Sequence, residues 1–433
     1  MKNISLIKKN DTEEWVQQQG YLFLFCLSVC FIGISLAISS PKEMATGLKS
    51  ILFSPAVLLT DYSVVGCNGS AFFNSGFLML FCTSLLKIHQ RKFCEEMISA
   101  VFALGGYAFF GKNIYCLLPI MLGTFLYAKI RREPFSKYIL VGCFGGALSP
   151  VIGHVSFSLG IEAPYNIMLA YLLGAMIGFV LPPLTTHFFH FHKGKSLYSV
   201  GFASGIVGII LLNIFKVFSV EPTANPITLV ADSRFFQLCM LAVLSLILIV
   251  GLIIEGFDLS EIKKFSRENG HRLTNQLTHC GFGMILLNMA FVGFLLVGVL
   301  AVMNIPINGI LFGTIMAVVG YSARGMNVKS IVPILLGASL ILFLVPDYSV
   351  NRIEVIMALL FSIGLSPITT NHGCIWGFVA GMFHLIVAPA ICGFHGGLSL
   401  YNSGLASGLI AGFLSPLIEL AQQKNIVRKS PLE

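Results

Sequence analysis

A histidine, a serine and a tyrosine recur together in two copies of one phrase. FHKGKSLYSVGFASG begins at Phe191 and FHGGLSLYNSGLASG at Phe394, and ten of the fifteen positions are identical. Imidazole, hydroxyl and phenol groups donate and accept hydrogen bonds, so together they suit the walls of a polar passage. The candidate pathway residues in the two copies are His192, Ser196, Tyr198, His395, Ser399, Tyr401 and Asn402.

Each copy has the form of a helix break. A glycine-containing bend precedes Ser196 and Ser399, and a run of small residues follows each serine. We predict that both serines are N-caps of the next helix, whose small residues allow close helix contact. The alternative is a packing motif alone, with the histidine at the interface between helices.

A polar stretch near the beginning supplies three further pathway candidates, Asp61, Asn68 and Asn74. Asp61 lies in an otherwise apolar run, and an acid at membrane depth is costly enough to suggest a function. The alternative is structural, because Asp61 also suits the cap of a short helix or a position at the membrane interface.

Two turns and two helix ends also occur twice. Asn113 and Asn327 occupy matched turns, and asparagine in such a turn caps the backbone more often than it binds a ligand. Ser149 and Ser366 each precede a proline, and a proline with nearby hydroxyls is a usual way to open a membrane helix.

Several chemistries lack their motifs. His187, His190 and His192 do not share one helical face, and no HExxH or Walker A sequence occurs. The eleven cysteines are scattered singly, as reduced, buried thiols are. We therefore expect no catalytic residue, no metal site and no cofactor, and we do not expect an enzyme.

The composition indicates the elements that position these residues. Of the 433 residues, 56% are hydrophobic and 11% are charged, and apolar runs of membrane-spanning length recur throughout. Period-two alternation, the mark of a barrel, is absent. The chain is therefore predicted to be an all-α polytopic membrane protein with about 12–14 transmembrane or broken helices, and its first apolar helix is retained.

The net charge of +8 follows membrane topology and does not indicate nucleic-acid binding. On our assignment of crossings, 21 of the 27 lysines and arginines lie on one side, together with both termini. The positive-inside rule makes that side cytoplasmic, in a bacterial plasma membrane. The expected partners are the lipid bilayer and a small-molecule solute, and a homo-oligomer is left open.

An internal duplication organises the chain. GYAFFGKNIYCLLPIMLGTFL, from Gly106, aligns without gaps to GYSARGMNVKSIVPILLGASL, from Gly320. An odd number of crossings between the copies gives an inverted-topology repeat, whereas a re-entrant 309–320 segment gives parallel copies. The predicted divisions are a tail and first helix (1–44), a first half (45–220), a connecting helix and linker (221–280), a second half (281–420) and a cytoplasmic tail (421–433).

The phrases SLYNSGLASG, LLTDYSVVGCNGSAFFNSG and NxxxxxPIxLG resemble an uncharacterised family of bacterial polytopic membrane proteins with a repeated region. The resemblance spans most of the chain but carries no catalytic residues. More distantly, the two-fold plan is similar in architecture to urea transporters. Their Asn-Asn-Pro phrase is missing, and the nearest text here is MNIPING at 303–309.

The expected function is therefore a channel or secondary permease for a small polar or anionic solute, with its pathway between the inverted repeats. A membrane-embedded enzyme and a scaffold or sensor without transport remain the alternatives.

Overall fold

A computed structural model describes residues 13–55, 59–220, 222, 233–256, 276–345 and 352–429. Eleven helical segments within these ranges are long and apolar enough to cross a membrane, which confirms the all-α polytopic class. The first half contains α1 (Glu13–Ile38), α2 (Pro41–Leu52), α3 (Tyr62–Val65), α4 (Asn68–Ile88), α5 (Glu95–Tyr107), α6 (Ile114–Arg131), α7 (Ile139–Gly145), α8 (Ser149–Phe157), α9 (Tyr165–Phe191) and α10 (Ser199–Val217).

Within the described residues, the rest of the chain repeats this order without counterparts of α2 and α3. It contains α11 (Ser233–Glu255), α12 (Gln276–Val302), α13 (Gly309–Ser322), α14 (Val328–Leu344), α15 (Ile353–Phe361), α16 (Ser366–His372), α17 (Cys374–His395) and α18 (Asn402–Lys429). The repeat begins with α11, which lies in the predicted connecting segment 221–280. Equivalent positions pair α1 with α11, α4 with α12, α5 with α13, α6 with α14, α7–α8 with α15–α16, α9 with α17, and α10 with α18.

One crossing in each half is a broken helix. A 3₁₀ turn, Gly146–Leu148, separates α7 from α8, and Ser362–Leu365 separates α15 from α16. In both copies a proline stands in the first turn of the second piece. A proline is tolerated there because a backbone N–H at that position would have no acceptor within the helix. Both breaks are buried, so protein groups must satisfy the backbone atoms that they free.

The same buried hydrogen bonds hold the α5–α6 and α13–α14 turns. Asn74 Nδ2 on α4 donates to the carbonyls of Ala108 and Lys112, both at 2.8 Å. Asn288 on α12, its equivalent, donates to the carbonyls of Ser322 at 3.0 Å and Met326 at 2.6 Å. The duplication therefore preserves tertiary contacts as well as sequence.

Equivalent helices meet in antiparallel pairs. On α5 and α13, Ser99 Oγ donates to the Gly320 carbonyl at 2.9 Å, and a Cβ on Gly106 would lie 2.2 Å from the Gly313 carbonyl oxygen. Residue numbers that rise along α5 therefore fall along α13, so the two helices are antiparallel. Each of them has about four turns.

The second antiparallel pair is α10 with α18. A Cβ on Gly404 would lie 2.7 Å from the Cα of Gly201, its equivalent, so both positions need glycine for this approach. Gly208, further along α10, faces His395, which precedes α18. Residue numbers therefore rise along α10 where they fall toward and along α18, as in the first pair.

The chain before α4 does not form one interrupted crossing over 50–60 and 71–86, which the apolar runs alone predict. Pro41 and the Ser40 cap start α2 earlier, and the chain then turns through α3 before α4 begins at Asn68. The capping box of Ser40 and Glu43 fixes this start, a local signal stronger than the apolar run that follows it.

Candidate functional site

The two repeated phrases form loops that dock on the broken helices. In the first loop, residues 192–198, the Leu197 N–H donates to the Gly364 carbonyl in the 3₁₀ turn of the second half, at 3.1 Å. In the second loop, residues 395–401, the Leu400 N–H donates to the Ala147 carbonyl in the first half, at 2.8 Å. Each half therefore satisfies a carbonyl that the break in the other half frees.

A buried histidine holds each loop to the start of the next helix. His192 Nε2 lies 3.0 Å from Ser199 Oγ, and His395 Nε2 lies 2.7 Å from Asn402 Oδ1. Both histidines have no exposed surface. Their geometry fits a structural role, in which each histidine fixes its loop by a hydrogen bond to the next helix. Their place on the solute pathway stays a prediction.

The predicted N-caps at Ser196 and Ser399 are wrong. The helices begin at Ser199 and Asn402, and the two serine hydroxyls instead accept from the N–H groups of Tyr198 and Tyr401. Docking on the opposite break keeps residues 197–198 and 400–401 out of the helix, which delays each start by two residues.

The loops place Tyr198 and Tyr401 in a buried aromatic cluster. Tyr198 packs on Tyr321 with ring centroids 4.7 Å apart, and Tyr401 packs on Tyr107 at 4.5 Å. Phe361 contacts both Tyr198 and Tyr107, so the rings form one continuous row between the two halves. We call these four tyrosines and Phe361 the tyrosine row.

A cavity lies on each side of the tyrosine row. The large cavity has a volume of about 340 Å³, and Tyr198, Tyr321 and Arg324 form part of its wall. The small cavity has about 20 Å³, room for roughly one water, and Tyr107 and Phe361 form part of its wall.

The two cavities are built from equivalent positions. All but two of the ten residues around the small cavity are equivalents of residues around the large one. The equivalent pairs are Leu140 and Met357, Val141 and Ala358, Phe144 and Phe361, Thr185 and Ala388, Leu197 and Leu400, Ser199 and Asn402, Val200 and Ser403, and Tyr321 and Tyr107.

A buried lysine distinguishes the two sides of the tyrosine row. Lys112 is fully buried, and its Nζ donates to Tyr401 Oη at 2.6 Å and to the Cys143 carbonyl at 3.2 Å. The same Nζ lies 5.1 Å from the centre of the Tyr107 ring. On the other side Met326 occupies the equivalent position, and the Tyr198 hydroxyl has no partner among the described residues.

The remaining predicted pathway residues lie away from both cavity walls. Asp61 caps α3 by accepting from Ser63 N and Ser63 Oγ, at 2.9 and 2.6 Å, as its structural alternative required. Asn68 is the exposed first residue of α4, and Asn74 is the buried donor to the α5–α6 turn described above.

The repeated turn and break residues mostly serve the backbone. Asn113 caps α6 and Asn327 caps α14, by accepting from Cys116 N at 3.0 Å and Ser330 N at 2.9 Å. Ser149 and Ser366 each open the second piece of a broken helix, and their buried hydroxyls lack partners among the described residues.

Comparison with protein families assigns most of the chain. The family described as "protein of unknown function (DUF1576)" matches residues 40–217 and 254–420. The chain belongs to this family. Its two matched regions fall on the two halves, which is consistent with an internal repeat, and the predicted membership of an uncharacterised family is confirmed. No curated protein and no solved structure matches this DUF1576 chain.

Sequence reasoning missed several central residues of this DUF1576 chain: Tyr107, Tyr321, Arg324 and the buried amine of Lys112. The signal was present, since the aligned turns GYAFFGKN and GYSARGMN each contain one tyrosine and one cation. The cations occupy positions of the two turns that do not align, so the alignment did not pair them. Among the described residues no group of three or more His, Cys, Asp or Glu is placed to hold a metal ion.

Proposed function

We propose that the protein is a secondary permease that moves a small polar or anionic solute by alternating access. The single observation that carries this proposal is the pair of unequal cavities made from equivalent residues. If the two halves exchange conformations, the small cavity becomes large and the large cavity becomes small. Such an exchange exposes a site between inverted repeats to one membrane face and then to the other.

The antiparallel helix pairs support the inverted arrangement. Helices that cross a membrane and run antiparallel to their equivalents require a two-fold axis in the membrane plane. The short α13 does not alter this argument, because its direction is read from its contacts with α5 and not from its length.

The charge pattern supports an orientation for the observed conformation. Arg324 lies in the wall of the large cavity, and Lys193 and Lys195 belong to the loop beside it. By the positive-inside rule these residues mark the cytoplasmic side. The large cavity then faces the cytoplasm, and the tyrosine row with the Lys112 amine closes the opposite side.

A flux assay in liposomes tests this proposal. Purified protein should give saturable uptake of at least one member of a panel of small organic anions and neutral solutes. His395→Ala and Tyr401→Phe should each lower that uptake, because they loosen the loop that closes the far side, while circular dichroism stays unchanged. Uptake equal to that of protein-free liposomes for the whole panel, with solute binding retained, would reject transport in favour of a sensor.

A further inference from the structure

The large cavity contains polar atoms without hydrogen-bond partners, and all of them belong to donors. Arg324 Nε, the Tyr198 hydroxyl and the Thr185 hydroxyl are buried and unpartnered among the described residues, and all three residues line the cavity. An arginine N–H only donates, and hydroxyls donate readily to a charged acceptor. Leaving such groups unpaired in a low-dielectric interior is costly, so this set favours an occupant rich in acceptors.

Arg324 is held in place without being neutralised. Its Nη1 donates to the Leu197 carbonyl at 2.9 Å, in the loop that forms the cavity wall. Within the described ranges no carboxylate forms an ion pair with it. A guanidinium fixed on one side and unpaired on another is suited to a carboxylate or similar oxyanion.

The rest of the wall is mainly apolar. Leu140, Val141, Phe144, Phe189 and Val200 surround the donors. Ligand pockets with this composition bury an apolar body and use a few polar groups to orient it. The volume of about 340 Å³ accommodates an aryl or branched aliphatic group.

We propose that the large cavity binds an organic anion with one oxyanion head and a compact apolar body, and that Arg324 selects its charge through contact with the head. This inference rests on the proposed function in placing the site on a transport pathway. It names the solute class of that pathway. Lys112, from the equivalent turn, places its amine 5.1 Å from the centre of the Tyr107 ring, and Tyr107 forms part of the wall of the small cavity.

Glu96 provides a control, because it is the one carboxylate that the described residues contribute to this wall. A cation site would depend on Glu96, whereas an anion site depends on Arg324. The two substitutions Arg324→Gln and Glu96→Gln each remove one charge from the same cavity and should act in opposite directions.

Equilibrium binding of benzoate, benzamide and benzylamine to the purified full-length protein tests the inference. These probes share one ring and differ in charge. Benzoate should bind at least about tenfold more tightly than the other two, Arg324→Gln should weaken it by about tenfold or more, and Arg324→Lys should retain part of the affinity. Glu96→Gln should tighten benzoate binding, because it removes a negative charge from the same wall.

Three results would overturn the inference: preference for benzylamine, loss of binding in Glu96→Gln instead of Arg324→Gln, or no benzoate binding at millimolar concentration. If Arg324→Gln does not fold, the charge preference of the native protein and Glu96→Gln still decide. Uptake of benzenesulfonate separates the two proposals. Charge-selective binding without uptake would reject the transport proposal and leave the anion site standing. Uptake without a charge preference would reject the anion site and leave the transport proposal standing.

Discussion

The large and small cavities occupy equivalent places in the two halves, yet one holds about 340 Å³ and the other about 20 Å³. The backbone around them is held alike in both halves. Asn74 and Asn288 bind equivalent turns, and His192 and His395 bind equivalent loops. The turns beside the tyrosine row differ, because Lys112 is equivalent to Met326 and Arg324 is equivalent to Phe110. A shared frame around two unequal cavities fits the exchange of conformations proposed above.

The largest expected effect, on the accessibility of the small cavity, comes from replacing Lys112 by the residue at the equivalent position of the other half. Lys112→Met removes the amine that joins Tyr401 to the Cys143 carbonyl and installs the residue found at the equivalent position. A cysteine at Ser403, in the small cavity, should then react several-fold faster with a water-soluble thiol reagent.

The reciprocal substitution provides the matched control. Met326→Lys introduces an amine at the position equivalent to Lys112, and the equivalent of its partner Tyr401 is Tyr198, whose hydroxyl lacks a partner among the described residues. It should slow labelling of a cysteine at Val200, in the large cavity. Unchanged labelling at both sites in both variants would show that these turns do not set the difference.

The shared frame should respond equally in both halves. Asn74→Ala and Asn288→Ala each leave two buried carbonyls without their donor, and each should lower the free energy of unfolding by about 1–3 kcal/mol. Denaturant unfolding in micelles measures both. A large effect from one and none from the other would mean that the turns are not equivalent in energy.

The tyrosine hydroxyls should respond unequally. Tyr401→Phe removes one of the two acceptors of the buried Lys112 amine and should cost about 1–3 kcal/mol of stability, the range for a buried donor that loses a partner. Tyr198→Phe removes a hydroxyl that has no partner among the described residues and should be close to neutral. Thermal unfolding of the pair checks this, and equal losses would contradict the assigned bonding.

The smallest effect is expected at the ion pairs of the first loop. Glu419 accepts from Lys193 at 3.2 Å and Lys195 at 3.4 Å, and the equivalents of those lysines are Gly396 and Leu398. Because Glu419 and Lys193 are exposed, Glu419→Gln should lower stability by less than about 1 kcal/mol. A larger loss in thermal unfolding would assign these pairs a part in fixing the conformation.

The repeat and the helix breaks could be predicted because they depend on local signals. Glycine and proline recur at fixed offsets, and Asn113 and Asn327 cap helices wherever their turn occurs. The starts of α10 and α18 could not, since docking on a distant carbonyl overrides the serine caps.

The residues around the cavities were harder to predict than the frame. Tyr107 and Tyr321 align in the repeat, but their contacts come from the other half of the molecule. Lys112 and Arg324 do not align, so sequence comparison could not pair them. Nor does a local pattern encode which of two equivalent cavities is open.

Sided labelling of Val200→Cys and Ser403→Cys tests the central claim most directly. The cysteines line equivalent cavities and would be introduced singly, with the native cysteines replaced, into vesicles of known orientation. A membrane-impermeant thiol reagent should reach Val200→Cys from the cytoplasmic face and Ser403→Cys, more slowly, from the opposite face. Reaction of both cysteines from the same face would contradict inverted halves that open alternately.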